Sequence, residues 1–216
     1  MGTMARRPMS PVPGSNKRVA AIVLAAGRSA RIGGTNKLLA KVGGVPILLR
    51  VIAALRSSQA RPIIVVTGHD ANEINRLLSD VSVQCVHNPD FESGLSSSLR
   101  RGLSALPQEI EAVLICLGDM PRLTATHIDR LIDAFDPAQG RAICVPTWHR
   151  QRGNPVLWAR DFVPEMMQLS GDQGARPLFE RHRDLLYHVE MPDAGVLLDV
   201  DTPEDLKALR FGHKSP

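Results

Sequence analysis

The sequence predicts a three-layer α/β domain built on a mostly parallel, doubly wound sheet. Three observations carry that prediction. Apolar runs rich in β-branched residues recur at 19–23, 62–68, 83–87, 112–117 and 142–147. Helical patterns separate most of them, and strands alternating with helices imply right-handed crossovers between parallel strands. A glycine-rich loop directly follows the first run, at the strand end where such sheets hold their ligands.

Taken in order, Val19-Ala20-Ala21-Ile22-Val23 is apolar throughout, as a strand buried on both faces requires. Pro46 to Leu55 reads as a helix, with Pro46 tolerated in a first turn whose N–H groups lack partners anyway. Pro62 to Gly68 is the second strand. Asp70-Ala71-Asn72-Glu73 has the spacing of a capping box and opens a helix ending near Leu78. Val83 to His87 is a third strand, and Gly94 precedes a helix from Leu95 to Leu106. Ala112 to Leu117 is the most apolar run, a central strand that ends at Gly118-Asp119. Thr124 to Phe135 is helical and Ala142 to Thr147 extended.

Beyond Arg152-Gly153-Asn154-Pro155 the alternation loosens. A strand is expected at Val156-Leu157-Trp158, helices near 161–169 and 175–183, and a strand at 185–190. Val196 to Asp201 reads as a last short strand, leading into a helix capped by Thr202 with Pro203 as its first residue.

The chain of 216 residues suits one domain with a sizeable core, expected over 19–212. Residues 1–18 contain Arg6, Arg7, Lys17 and Arg18 and no acidic residue, so a disordered basic tail is expected there. With that tail set aside, basic and acidic residues balance, and no nucleic-acid-binding face is implied. No apolar run approaches the roughly 20 residues of a membrane span, and no hydrophobic signal region follows Arg6-Arg7. Cys85, Cys116 and Cys144 lie in apolar runs without metal or redox spacing, so buried thiols in a cytoplasmic protein are expected.

The loop after the first strand carries Gly27, Gly33 and Gly34 with Arg28, Arg31 and Lys37, and no acidic residue between them. Glycines let backbone N–H groups approach an anion and the cations neutralise it, which suits a nucleoside triphosphate. The spacing is neither that of a P-loop nor that of a dinucleotide fingerprint. Asp119 and Asp201 each stand at the carboxyl end of an expected strand. Two carboxylates beside a triphosphate suit Mg²⁺, although each alone could be a turn or cap residue. Gly94-Leu95-Ser96-Ser97-Ser98 opens a helix, where free N–H groups bind anions or the serines serve as caps. No Gly-x-Ser-x-Gly elbow is present, and the seven histidines are scattered.

Five stretches in order resemble the nucleotidyltransferases of molybdenum-cofactor dinucleotide synthesis. They are Leu24-Ala25-Ala26-Gly27 through Arg31 and Lys37-Leu38-Leu39, Gly94 to Leu99, Gly118-Asp119-Met120-Pro121, Gly171 to Arg176, and Asp199 to Asp205. The resemblance implies a three-layer, Rossmann-like sheet of the nucleotide-diphospho-sugar transferase type. Leu-Ala-Ala-Gly is similar to the cytidylyltransferase branch, whereas the guanylyltransferase branch has Leu-Ala-Gly-Gly. It implies CMP transfer from CTP to molybdopterin, with a molybdenum hydroxylase as recipient of the product. Leu24, Ala25, Ala26 and Gly27 would then make backbone contacts to base and triphosphate, and Gly94 to Ser98, with Ser96 and Ser97 among them, would frame base and ribose. Arg31 and Lys37 would neutralise the triphosphate, and Asp119 and Asp201 would hold Mg²⁺. Asn154 and Arg176 would face the acceptor, with Asn154 standing where the family usually has histidine. A GTP-using enzyme, another phosphate acceptor such as a sugar phosphate, and a cofactor-delivery accessory protein are the competing readings.

Overall fold

The structure is a computed structural model that describes residues 17–27, 31–32 and 35–211. Of the expected tail only Lys17 and Arg18 are described, and Arg28, Gly33 and Gly34 lie outside the described residues. Eight strands form one mixed sheet: β1 (Val19–Ala25), β2 (Ile63–Thr67), β3 (Gln84–His87), β4 (Ala112–Leu117), β5 (Ile143–Trp148), β6 (Gln151–Arg152), β7 (Val156–Ala159) and β8 (Leu186–Glu190). The spatial order is β8-β5-β7-β4-β1-β2-β3. The short β6 pairs with β5 beyond the stretch that β7 occupies. Only β6 and β7 run against the rest. The expected mostly parallel, doubly wound sheet is therefore what the chain forms.

The described residues also form seven α-helices, α1 (Ile47–Arg56), α2 (Ala71–Leu77), α3 (Leu95–Leu103), α4 (Ala125–Ala134), α5 (Val163–Met166), α6 (Arg176–Arg181) and α7 (Pro203–Phe211), and two small two-stranded ribbons, Arg31–Ile32 with Thr35–Asn36 and Lys41–Val42 with Val45–Pro46. The central strands β1, β2 and β4 are apolar along their length because helices cover both faces. On one face α3 lies against β1 and β2. The approach is close enough that a Cβ on Gly102 would sit 2.6 Å from Ile22 Cγ2. On the other face α1 and α4 pack together.

Helix starts follow side-chain chemistry. At α4 the Thr124 hydroxyl accepts the His127 N–H while His127 Nδ1 accepts the Thr124 N–H, a reciprocal cap made with a buried histidine. At α7 the Thr202 hydroxyl accepts the Asp205 N–H at 3.1 Å, and Asp205 Oδ2 accepts from the N–H groups of Thr202 and Asp201. These bonds hold the Asp205 carboxyl below its ordinary range. A depressed pKa stabilises above the unfolded value and stops doing so as pH falls through the folded one. Asp205→Ala should therefore cost about 0.5 kcal/mol at pH 7, a deficit that shrinks in parallel urea titrations as pH falls below the ordinary carboxylate range.

Four expectations are corrected. The Asp70 carboxylate does not cap α2; it accepts from Asn36 Nδ2 at 3.0 Å instead. The helix α3 stops at Leu103 rather than Leu106. Cys85 is exposed, because β3 is an edge strand with most side chains in solvent; Cys116 and Cys144 are buried. Val196 to Asp201 is not a strand. A 3₁₀ turn at Ala194–Val196 leads into an irregular segment that crosses the strand ends and gives the Val200 N–H to the Asp119 carbonyl.

Candidate active site

The parallel register pairs Leu24 with Leu117, so β1 and β4 end side by side. Their continuations, Leu24 to Gly27 and Gly118-Asp119, are tied by the Gly118 N–H donating to the Leu24 carbonyl at 3.1 Å. They floor a cavity of about 720 Å³ whose walls include Lys37, Phe91, Gly94, Ser98, Asp119, Asp172 and Asp201. The carboxyl edge of the sheet is thus where the predicted nucleotide loop and the predicted carboxylates meet.

Lys37 reaches the cavity from a 3₁₀ turn, Lys37–Leu39, whose first turn is fixed by Asn36 Oδ1 accepting the Leu38 N–H at 2.9 Å. Its ammonium lies 2.6 Å from Asp119 Oδ2 and 2.8 Å from Asp201 Oδ1. Burial alone would push the lysine down, but the two carboxylates outweigh it and hold it above its ordinary range. Burial and the nearby Asp201 and Asp119 charges push the Asp199 carboxyl up. Asp119 is almost enclosed, and its second oxygen, Oδ1, is buried without a hydrogen-bond partner among the described residues. Arg31 starts a two-residue strand paired with Thr35–Asn36; its side chain lies outside the described residues.

The start of α3 departs from expectation. Asp172 Oδ1 accepts the Leu95 N–H at 3.0 Å, and the Gly171 carbonyl accepts the Ser96 N–H at 3.1 Å. A remote loop therefore caps this helix, and those two donors are not free for an anion. Ser97 Oγ shares its single proton between the Asp90 and Gly94 carbonyls and accepts from Asn88 Nδ2. Ser96 Oγ is buried without a partner among the described residues. Neither Ser96 nor Ser97 lines the cavity; Gly94, Leu95 and Ser98 do.

Asn154 and Arg176 come together on a second, smaller cavity of about 180 Å³. It lies under the 171–176 loop and shares Leu24, Leu95, Leu117 and Asp172 with the first. Trp158 and Phe179, stacked with ring centres 5.2 Å apart, supply an aromatic wall. Sequence reasoning missed Phe91 and Asp172 as site walls. For Asp172 the available signal was its place in Gly171-Asp172-Gln173-Gly174, a loop rich in turn residues.

The profile of the MobA-like NTP transferase domain matches residues 21–185. The chain is 30% identical over 190 residues to the molybdenum cofactor cytidylyltransferase of Escherichia coli (strain K12), covering 85% of this chain and 91% of that one. It is 25% identical over 196 residues to the nicotine blue oxidoreductase of Paenarthrobacter nicotinovorans, covering 88% and 96%. Among solved structures, Rv0371c from Mycobacterium tuberculosis superposes with a TM-score of 0.80 at 26% identity, covering 91% of this chain and 98% of that one. The same protein has been solved in complex with manganese.

Proposed function

The chain belongs to the family of MobA-like NTP transferase domains, and on that premise we propose that it transfers CMP from CTP to the terminal phosphate of molybdopterin. The observation that carries this reading is Lys37 set between Asp119 and Asp201 on a cavity floored by Leu24 to Gly27. A phosphate oxygen of the acceptor bonds to the α-phosphorus of CTP, the α–β bond breaks, and pyrophosphate leaves with the electron pair. The nucleophile is already ionised at neutral pH, so no general base is needed. Catalysis then rests on positioning and on charge placed where it develops. The ammonium of Lys37 neutralises the departing pyrophosphate, and the backbone from Leu24 to Gly27 orients the nucleotide.

The residues fit a divalent cation. Asp119 Oδ1 is a buried acceptor without a partner among the described residues, and Asp201 is the second carboxylate on the same lysine. No group of three or more His, Cys, Asp or Glu among the described residues converges to hold a metal unaided, which suits Mg²⁺ that keeps substrate phosphates as ligands. When bound, Mg²⁺ would draw charge from the phosphates at Asp119 and Asp201. Asn154 and Arg176, on the adjoining cavity, are the residues to present the acceptor. A molybdenum hydroxylase is the recipient that the cytosine dinucleotide product would serve.

The decisive experiment is pyrophosphate release with CTP, GTP, ATP and UTP, each with and without molybdopterin and with Mg²⁺ or EDTA. Release should require CTP, molybdopterin and Mg²⁺ together, with GTP slower by at least about 10-fold, a difference of roughly 1.4 kcal/mol. Equal rates with GTP would remove the cytidylyl assignment. No release with any triphosphate would favour an accessory role.

A further inference from the structure

The contacts of Lys37 are the wrong way round for a residue whose only task is to grip a triphosphate. Its ammonium is committed to the two carboxylates that the proposed function assigns to the metal, at 2.6 and 2.8 Å. An ammonium has three donors, so at most one remains for a phosphate while both pairs stand. Leaving Asp119, enclosed as it is, without a counter-ion would be costly.

We propose that Lys37 is the internal counter-ion of the metal site, holding Asp119 and Asp201 in the empty protein and moving to the phosphates when metal and nucleotide enter together. The inference rests on the proposed function for its occupants, but not on which base or acceptor is used. It follows that Lys37 opposes binding of the metal alone and favours binding of metal with triphosphate. The site thereby couples the two ligands, since a cation that releases the lysine makes it available to phosphate oxygens, and the reverse holds by linkage. The alternative is a static strut, in which Lys37 simply holds the exposed Asp201 segment in place.

The two roles give opposite signs in a metal-only measurement. Mn²⁺ binding would be followed by electron paramagnetic resonance on the full chain without nucleotide, for the wild type, Lys37→Met and Lys37→Arg. A counter-ion role predicts that Lys37→Met binds Mn²⁺ roughly tenfold more tightly than wild type, the order expected for removing one competing charge. Lys37→Arg should stay near wild type. Unchanged or weaker binding in Lys37→Met would overturn the proposal in favour of the strut.

A second arm needs no variant. Adding a non-hydrolysable CTP analogue, and separately the GTP analogue, should tighten Mn²⁺ binding to the wild type beyond what the free nucleotide chelates. Absence of that coupling with any analogue that binds would also overturn the proposal. If no nucleotide binds at all, the proposed function fails, while the metal-only arm still decides the role of Lys37.

Discussion

Replacing Asp119 by alanine should lower the rate of pyrophosphate release by roughly 10³-fold or more, the scale seen when a preorganised charge is removed from a reacting centre. Asp119 is the carboxylate that the sheet places most rigidly. It follows β4, buried except at its last residue Leu117, by two residues, and its own carbonyl accepts the Val200 N–H at 3.1 Å. That backbone bond survives substitution, as does the Gly118 bond to Leu24, so the floor of the cavity should persist. Lys37 would keep Asp201 as a partner. Asp119→Asn is the sharper variant, because it keeps the shape and an acceptor for Lys37 while removing the charge. Both variants should retain the wild-type near-ultraviolet circular dichroism and melt cooperatively. Activity within tenfold of wild type in a folded Asp119→Asn protein would refute the metal and charge role argued above.

The same pair has a defined pH signature. The folded pKa of Lys37 is raised above its ordinary value by Asp119 and Asp201. A raised pKa stabilises the fold fully below the unfolded value and loses its effect as pH rises through the folded one. On the basic side the ion pair should therefore hold through the neutral range and weaken above the ordinary lysine range.

Why Asp119 was legible in the sequence and Asp172 was not follows from how each is held. Ala112 to Leu117 is apolar at every position, so its strand and the position of Asp119 at its end could be read locally. Asp172 acts on a backbone N–H 77 residues away, and no local pattern announces a cap supplied from another part of the chain. Val196 to Asp201 shows the converse error. Its apolar run followed by alternating Asp199-Val200-Asp201 looks like a short strand, but β5 is already paired on one side by β6 and β7 and on the other by β8. The segment instead bridges strand ends and brings Asp201 to Lys37, so the residue reaches the cavity although the predicted element is absent.

Ala26 is a subtler case. As the residue that separates Leu-Ala-Ala-Gly from Leu-Ala-Gly-Gly, it is the one expected to discriminate between bases. In the fold it is buried, its carbonyl accepts the His69 N–H at 3.1 Å, and a Cβ on Gly68 would fall 2.8 Å from the Ala26 Cβ. Its methyl group is thus packed against the start of the segment after β2. The same added Cβ on Gly68 would lie 2.7 Å from Phe91 Cβ, so Ala26 both lines the cavity itself and packs beside Gly68 near the cavity wall at Phe91.

Gly94→Ala should be the most damaging single-methyl change in the described part of the site. Gly94 has φ +102 and ψ 173, a conformation essentially reserved for glycine. An added Cβ would also lie 2.6 Å from both C and O of Gly171, which are backbone atoms and cannot rotate away. The clash falls on the contact that lets Asp172 cap α3 and lets the Gly171 carbonyl take the Ser96 N–H. Strain, a lost cap and a displaced loop together should cost about 2–4 kcal/mol, read as a lower urea midpoint. Because Asp172 is shared by the two cavities, KM should rise for both nucleotide and acceptor. Gly171→Ala separates the causes: its φ is +75, but an added Cβ there would meet nothing within 4 Å. It should cost only the conformational part, about 1 kcal/mol, with KM values near wild type. Equal damage from the two substitutions would show that the backbone conformation, and not the fit of the 171–172 loop onto α3, governs this wall of the site.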